Sequence, residues 1–140
     1  MLVIFTDGAS LGNPGPMGVG IVIYREGIIV EELSEYIGEG TNNIAEYSAV
    51  IKALETVHSM GEMEAHVKSD SQLIVRQLNG EYKVKDPDLR PLYERVIHLC
   101  KGLKVHFEHI PREHNTEADK LSKEGAEIGK KRSGGSGAGR

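Results

Sequence analysis

The chain predicts an α/β fold built on one mixed five-stranded sheet flanked by helices, and three observations carry that prediction. Its hydrophobic period switches between the two-residue repeat of strands and the 3.6-residue repeat of helices in the order βββαβααβα. The first three strand candidates are joined by short turns and so form an antiparallel unit, while the fourth and fifth arrive through helices and can run parallel to the first. Four carboxylates, Asp7, Glu46, Asp70 and Asp119, each stand where a strand gives way to a helix or loop, in the strings FTDGAS, TNNIAEY, KSDSQL and NTEADKLS.

Met1 to Thr6 is a continuous apolar run, the pattern of a strand covered on both faces, and it belongs at the centre of the sheet. GASLGNPGPMG is rich enough in Gly and Pro to read as a loop, Val19 to Tyr24 is the second strand, and Arg25-Glu26-Gly27 is a tight turn. Ile28 to Tyr36 mixes Val30, Leu33 and Tyr36 with three glutamates and reads as a half-exposed third strand. The period then changes. Ile44, Tyr47, Ile51, Leu54 and His58 recur at helical spacing over residues 43–60, with Thr41, Asn42 or Asn43 able to cap the start.

Ala65 to Asp70 is a short fourth strand ending in an acid, and SQLIVRQLNG is a short helix stopping near Gly80. Asp86-Pro87 has the signature of a helix start, with Leu89, Leu92, Val96 and Leu99 as the apolar stripe and Gly102 as the stop. In LKVHFEHI, Leu103, Val105 and Phe107 alternate with polar residues as a strand with one buried face requires, and Pro111 ends it. Asn115 or Thr116 caps a last helix through Ile128. GKKRSGGSGAGR lacks apolar residues to pack, so residues 1–128 are expected to form the domain and 129–140 a disordered tail.

At 140 residues the chain is long enough for one domain with a real core, and 39% hydrophobic with 27% charged residues is ordinary for a soluble protein. No apolar run approaches the roughly 20 residues that span a bilayer, and no signal-peptide pattern is present, so a cytoplasmic protein without membrane contact is expected. Cys100 is the one cysteine; it falls in a helix beside Val96 and Ile97 and reads as a packed thiol. Without the tail residues Lys130, Lys131, Arg132 and Arg140, the body carries 13 basic against 21 acidic residues, a charge of −8. Such a body has no general affinity for polyanions. A nucleic acid would have to be held by local basic residues and by metal ions that screen the acids.

If the first and fourth strands are parallel neighbours, Asp7 and Asp70 meet at one edge of the sheet, where open α/β folds bind ligands. Glu46 and Asp119 lie near the starts of two helices and can turn toward the same edge. Four carboxylates gathered without counter-charge would raise one another's pKa values, and hard divalent cations relieve that strain. Oxygen donors alone favour Mg²⁺ or Mn²⁺, and the absence of paired His or Cys argues against zinc. Two such ions about 4 Å apart activate water on one side of a phosphate and stabilise the leaving oxygen on the other. Taken singly, each acid could instead serve only as a cap or a turn residue.

FTDGASLGNPGPMGVGIV, TNNIAEYSAVIKAL, SDSQLIVRQLNG and PREHNTEADKLSKEGA resemble, in order and spacing over residues 1–128, the motifs of type 1 ribonuclease H. The resemblance implies a ribonuclease H-like fold with sheet order 3-2-1-4-5. It also implies two-metal hydrolysis of the RNA strand of an RNA–DNA hybrid, giving 5′-phosphate and 3′-hydroxyl ends. By motif Asp7 looks like the ligand shared by both ions, Asp119 like the water-side ligand, and Glu46 and Asp70 like leaving-group ligands. Families of this type often place a mobile His before the last acid. In the shortened loop PREHN, His114 fits by identity and Arg112 by position, and both stand as candidates.

Asn42, Asn43 and Gln72 match family positions at the groove where the 2′-hydroxyl is read, a contact in which Glu46 can share. Asn13 and Thr41 resemble a pocket for a phosphate of the DNA strand, and Gly8 and Ser10 lie where the backbone nears the nucleic acid. Between Leu78 and Leu92 this chain lacks the basic, Trp-containing insertion of longer relatives and offers only Lys83, Lys85 and Arg90. The resemblance therefore points to a short-form enzyme, and a monomer is expected because no element reads as an unusually apolar exposed face. A non-catalytic binding module with the same fold is the alternative, although such a module gains nothing from bare acids facing phosphate.

Overall fold

β1 (Leu2–Ser10) is the central strand of the computed structural model, in a sheet of order β3-β2-β1-β4-β5. The structure describes the backbone of residues 1–138 and the side chains of residues 1–132. β2 (Gly15–Arg25) and β3 (Ile28–Gly40) run antiparallel to their neighbours, while β4 (Glu64–Ser69) and β5 (Lys104–His109) run parallel to β1. This is the mixed sheet expected, with strand one at its centre.

Leu2, Ile4, Ile21, Ile23, Ala65 and Val67 form one apolar face of the sheet, which packs on helix α1 (Asn42–Ser59). Helix α3 (Arg90–Cys100) covers the far side of α1 with Val96 and Leu99. Helix α4 (Thr116–Ala138) lies on the opposite face, across β1, β2 and β3. Because α1 is sandwiched, its buried set is wider than the single stripe anticipated: Ala45, Ala49, Val50, Ala53 and Val57 join Tyr47 and Leu54, whereas His58 is exposed. Tyr47 is fully buried and its hydroxyl donates to Gln77 Oε1 of α2 (Gln72–Leu78) at 2.7 Å, so the polar atom brought into the core is satisfied.

Four boundaries differ from the sequence expectation. β1 continues through Asp7 to Ser10, since Ser10 pairs with Met17 and strand pairing absorbs most of the Gly/Pro segment read as a loop. Asp7 is thus inside a strand rather than at its end. β3 runs on to Gly40, paired against Gly15. Asp86 does not start a helix: its carboxylate accepts from Asp88 N–H at 2.8 Å and closes a turn, and α3 begins at Arg90 with Pro91 in its first turn.

Helix α4 does not stop at Ile128 but extends to Ala138. Its continuation has a packing cause in the first turn of the expected tail. Gly129 is buried against the Tyr36 ring, and the Arg132 guanidinium lies 5.9 Å from that ring's centre. Expected disorder over 129–140 therefore meets helix as far as residue 138, and residues 139–140 lie outside the described part. Cys100 is half-buried and free, as a packed thiol should be. Among the described residues no helix is long and apolar enough to cross a membrane.

Candidate active site

Parallel pairing of β1 with β4 matches Thr6 with Ser69, so the next residues, Asp7 and Asp70, emerge side by side. Glu46 reaches them from α1 because Gly8 has no side chain: a Cβ there would fall inside 3.0 Å of the Ala45 carbonyl and the Glu46 nitrogen. At that close approach Gly8 N–H donates to Glu46 Oε1 at 2.8 Å. Gly18 and Gly20 do the same for α4, since a Cβ on either would strike the backbone of residues 118–126. The close docking of α4 brings Asp119, in its first turn, to the same edge.

Asp7, Glu46 and Asp70 each offer a carboxylate oxygen within 4.8 Å of the others. Burial is the main cause that lifts the Asp7 carboxyl from 3.8 to about 7; a hydrogen bond from Ser122 opposes it, and the charges of Asp70 and Asp119 add to it. Glu46 is raised well above its ordinary 4.5, again by burial first and then by Asp7, with the Gly8 N–H opposing. Among the described residues no Lys or Arg forms an ion pair with Asp7, Glu46 or Asp70. Close carboxylates without a basic partner are the donor set a hard divalent cation needs, so the residues fit Mg²⁺ or Mn²⁺. Asp119 differs from them in accepting from Lys123 Nζ at 3.0 Å.

The cleft around these acids is also lined by Gly8, Ala9, Ser10, Leu11, Asn42, Arg112, Lys123 and Glu127. Arg112 and His114 both belong to one short 3-10 turn, Arg112–His114, yet they part company. Arg112 faces the acids, whereas His114 lines a separate pocket with Phe5, Val22 and Tyr24. Asn42 holds Ser10 N–H on its Oδ1 at 2.8 Å, and its own N–H donates to Asn13 Oδ1 at 2.9 Å. Thr41 caps α1 by accepting from Ile44 N–H, and Ser10 Oγ donates to Gly40 O at 2.6 Å. These bonds tie the ends of β1 and β3 to the start of α1. Asn43 and Gln72 stand exposed in the first turns of α1 and α2, outside the cleft lining.

Sequence reasoning missed two buried partners of the acids. Asn115, 1% exposed, donates from Nδ2 to Thr6 O at 2.9 Å and to Asp70 Oδ2 at 3.2 Å, tying the start of α4 to β1 and to the acid after β4. Ser122 reaches Asp7. Asn115 was legible only as a helix cap, because its contacts are with residues far away in sequence. Asn115→Ala is expected to cost about 2 kcal/mol of stability, from the lost bonds and the carbonyl left buried without a donor. It should also slow any reaction at the acids at least about tenfold by loosening Asp70. Urea unfolding and cleavage rates measured on one preparation check both; an unchanged rate would remove Asn115 from the site.

A profile of the family described as Reverse transcriptase-like matches residues 5–125. The Ribonuclease H of Syntrophus aciditrophicus is 36% identical over 141 residues, covering 89% of this chain and 80% of that protein. The chain belongs to the ribonuclease H family. LC11-RNase H1, solved in complex with an RNA/DNA hybrid, superposes on this ribonuclease H chain with a TM-score of 0.87 at 45% identity, covering 92% of this chain and 99% of that one. The Bifunctional protein Rv2228c of Mycobacterium tuberculosis is 41% identical over 124 residues, which are 86% of this chain but 34% of that protein. The chain thus spans about a third of the mycobacterial relative. As expected of a short-form member of the family, α2 and α3 are joined by residues 79–89 with no helix between them.

Proposed function

We propose that the protein hydrolyses the RNA strand of RNA–DNA hybrids by a two-metal-ion mechanism, leaving 5′-phosphate and 3′-hydroxyl ends, as a cytosolic monomer. The observation that carries this reading is the meeting of Asp7, Glu46 and Asp70 within 4.8 Å, in a cleft that Asp119 also lines. When bound, Mg²⁺ or Mn²⁺ supplies Lewis-acid activation of water and charge neutralisation at the phosphate. Asp7, flanked by the other three acids, is the shared ligand. Asp119 serves the water side, and Glu46 and Asp70 serve the leaving-group side.

The remaining residues bind and orient the substrate. Asn42, Asn43 and Gln72 carry amides suited to a 2′-hydroxyl, with Glu46 able to accept from one, and this selects RNA for cleavage. Gly8 and Ser10 bring β1 backbone close to the nucleic acid. Asn13 and Thr41, fixed by the bonds around Asn42, form the receptor for a DNA phosphate. Arg112 lines the acidic cleft and is placed to meet phosphate charge or assist product departure; His114, turned to the neighbouring pocket, is the weaker of the two candidates. With Lys83, Lys85 and Arg90 as its only cations, the shortened segment should add little to binding and little to its salt dependence.

End-labelled hybrid incubated with Mg²⁺ or Mn²⁺ tests the reading. The RNA strand should be cut internally to 5′-phosphorylated products and the DNA strand left whole. A hybrid bound but uncut under both metals would leave only the binding-module alternative.

A further inference from the structure

Ser122 is fully buried on the second turn of α4, at the point where that helix crosses Gly18 and Gly20 of β2. Its hydroxyl lies 2.6 Å from Asp7 Oδ2 and 2.8 Å from the backbone carbonyl of Asp119. One side chain therefore touches one acid directly and the backbone of a second, and those acids come from different elements, β1 and α4. A hydroxyl carries a single proton but two lone pairs. With Asp7 ionised, the stronger acceptor is the carboxylate, so the proton goes to Oδ2. The other oxygen of Asp7 is left for the cleft.

We propose that Ser122 is a positioning residue for cation binding: it holds Asp7 Oδ2 on the α4 side and turns Oδ1 toward Glu46 and Asp70. The inference rests on the metal-dependent reading of the site. Three features support it beyond packing. Ser122 reaches Asp7 across the sheet–helix interface, where an apolar residue would be the ordinary choice. Gly18 and Gly20, where a Cβ would meet α4 backbone inside 3.0 Å, let the helix lie close enough for the buried Ser122 to reach Asp7. Asp7 has no basic partner among the described residues, so the Ser122 hydroxyl is the group that fixes its outer oxygen.

Hydrogen-bond partners that orient metal-binding carboxylates typically change metal affinity 10- to 100-fold when removed. Ser122→Ala removes the donor at nearly unchanged volume, and Ser122→Cys replaces a strong donor by a weak and larger one. Mn²⁺ binding to the full chain, measured by calorimetry at pH 8 without nucleic acid, should weaken at least about tenfold in both variants. Cleavage should then need correspondingly more Mn²⁺ for half-maximal rate, with the rate at saturating metal recovered to within a few-fold.

If Ser122→Cys binds Mn²⁺ as tightly as the wild type, the hydroxyl matters only for packing and the inference is overturned. A variant that melts lower in chelator, but with an unshifted Mn²⁺ affinity, overturns it equally. Should the wild type itself fail to bind Mn²⁺, it is the metal-dependent reading that fails, and the role of Ser122 falls with it.

Discussion

Asp7→Asn should abolish cleavage, lowering the rate at least about a thousandfold, and should at the same time stabilise the metal-free protein at pH 8. The first effect follows from position. Asp7 sits among Glu46, Asp70 and Asp119, and losing its charge removes the ligand on which both proposed cations converge; a thousandfold corresponds to about 4 kcal/mol of transition-state stabilisation. The second follows from burial. Asp7 is 5% exposed, and its carboxyl rises from 3.8 to about 7 in the folded protein.

Between those two values the folded chain holds a proton that the unfolded chain has lost. Stability contributed by this group is therefore complete below pH 3.8 and drains away as pH rises through about 7. At about 1.4 kcal/mol per pH unit, the loss amounts to at most about 4 kcal/mol. Glu46, also raised, acts in the same direction. In chelator, the wild type should weaken progressively from pH 4.5 to pH 8, and Asp7→Asn should show a flatter slope and a higher melting temperature at pH 8. Mn²⁺ should restore the wild type at pH 8 and do little for the variant. Parallel pH slopes in the two proteins would mean that Asp7 does not carry the buried charge.

What the sequence made legible, and what it hid, divides along the range of the interactions. Asp7, Asp70 and the parallel pairing that brings them together could be read from local patterns, because each acid follows an apolar run, although β1 continues past Asp7 to Ser10. Thr41 as the cap of α1 is equally local. The bonds from Asn115 to Asp70 and from Ser122 to Asp7 close over separations of 45 and 115 residues, and no period or spacing encodes them. Arg112 and His114 could not be separated by sequence because a tight turn sends neighbouring side chains in different directions. Asp86-Pro87 carried the signal of a helix start, but the Asp86 carboxylate closes a local turn with Asp88 instead. Gly18 and Gly20 were read as part of a turn and a strand, whereas their use is to let α4 lie against the sheet.

Gly8→Ala is expected to be as damaging as loss of an acid, through geometry rather than charge. A methyl group at residue 8 would lie inside 3.0 Å of the Ala45 carbonyl and the Glu46 nitrogen, and both are helix backbone that cannot turn aside as a side-chain tip could. Either α1 moves off β1 or the strand bends. Overpacking of this kind costs typically about 1–3 kcal/mol, and more where backbone is the obstacle. Whichever element yields, the Gly8 N–H to Glu46 Oε1 bond of 2.8 Å is broken and Glu46 is displaced from Asp7 and Asp70. Displacement of a reacting group by about 1 Å can cost a hundredfold in rate. Gly61→Ala is the matched control: Gly61 has φ +70° but nothing within 4 Å of a new Cβ, so it should lose about 1 kcal/mol from backbone strain alone and keep its cleavage rate. Urea unfolding and cleavage assays on the two variants separate the effects. If Gly8→Ala kept both wild-type stability and wild-type rate, the close approach of α1 to β1 could not be what delivers Glu46 to the site.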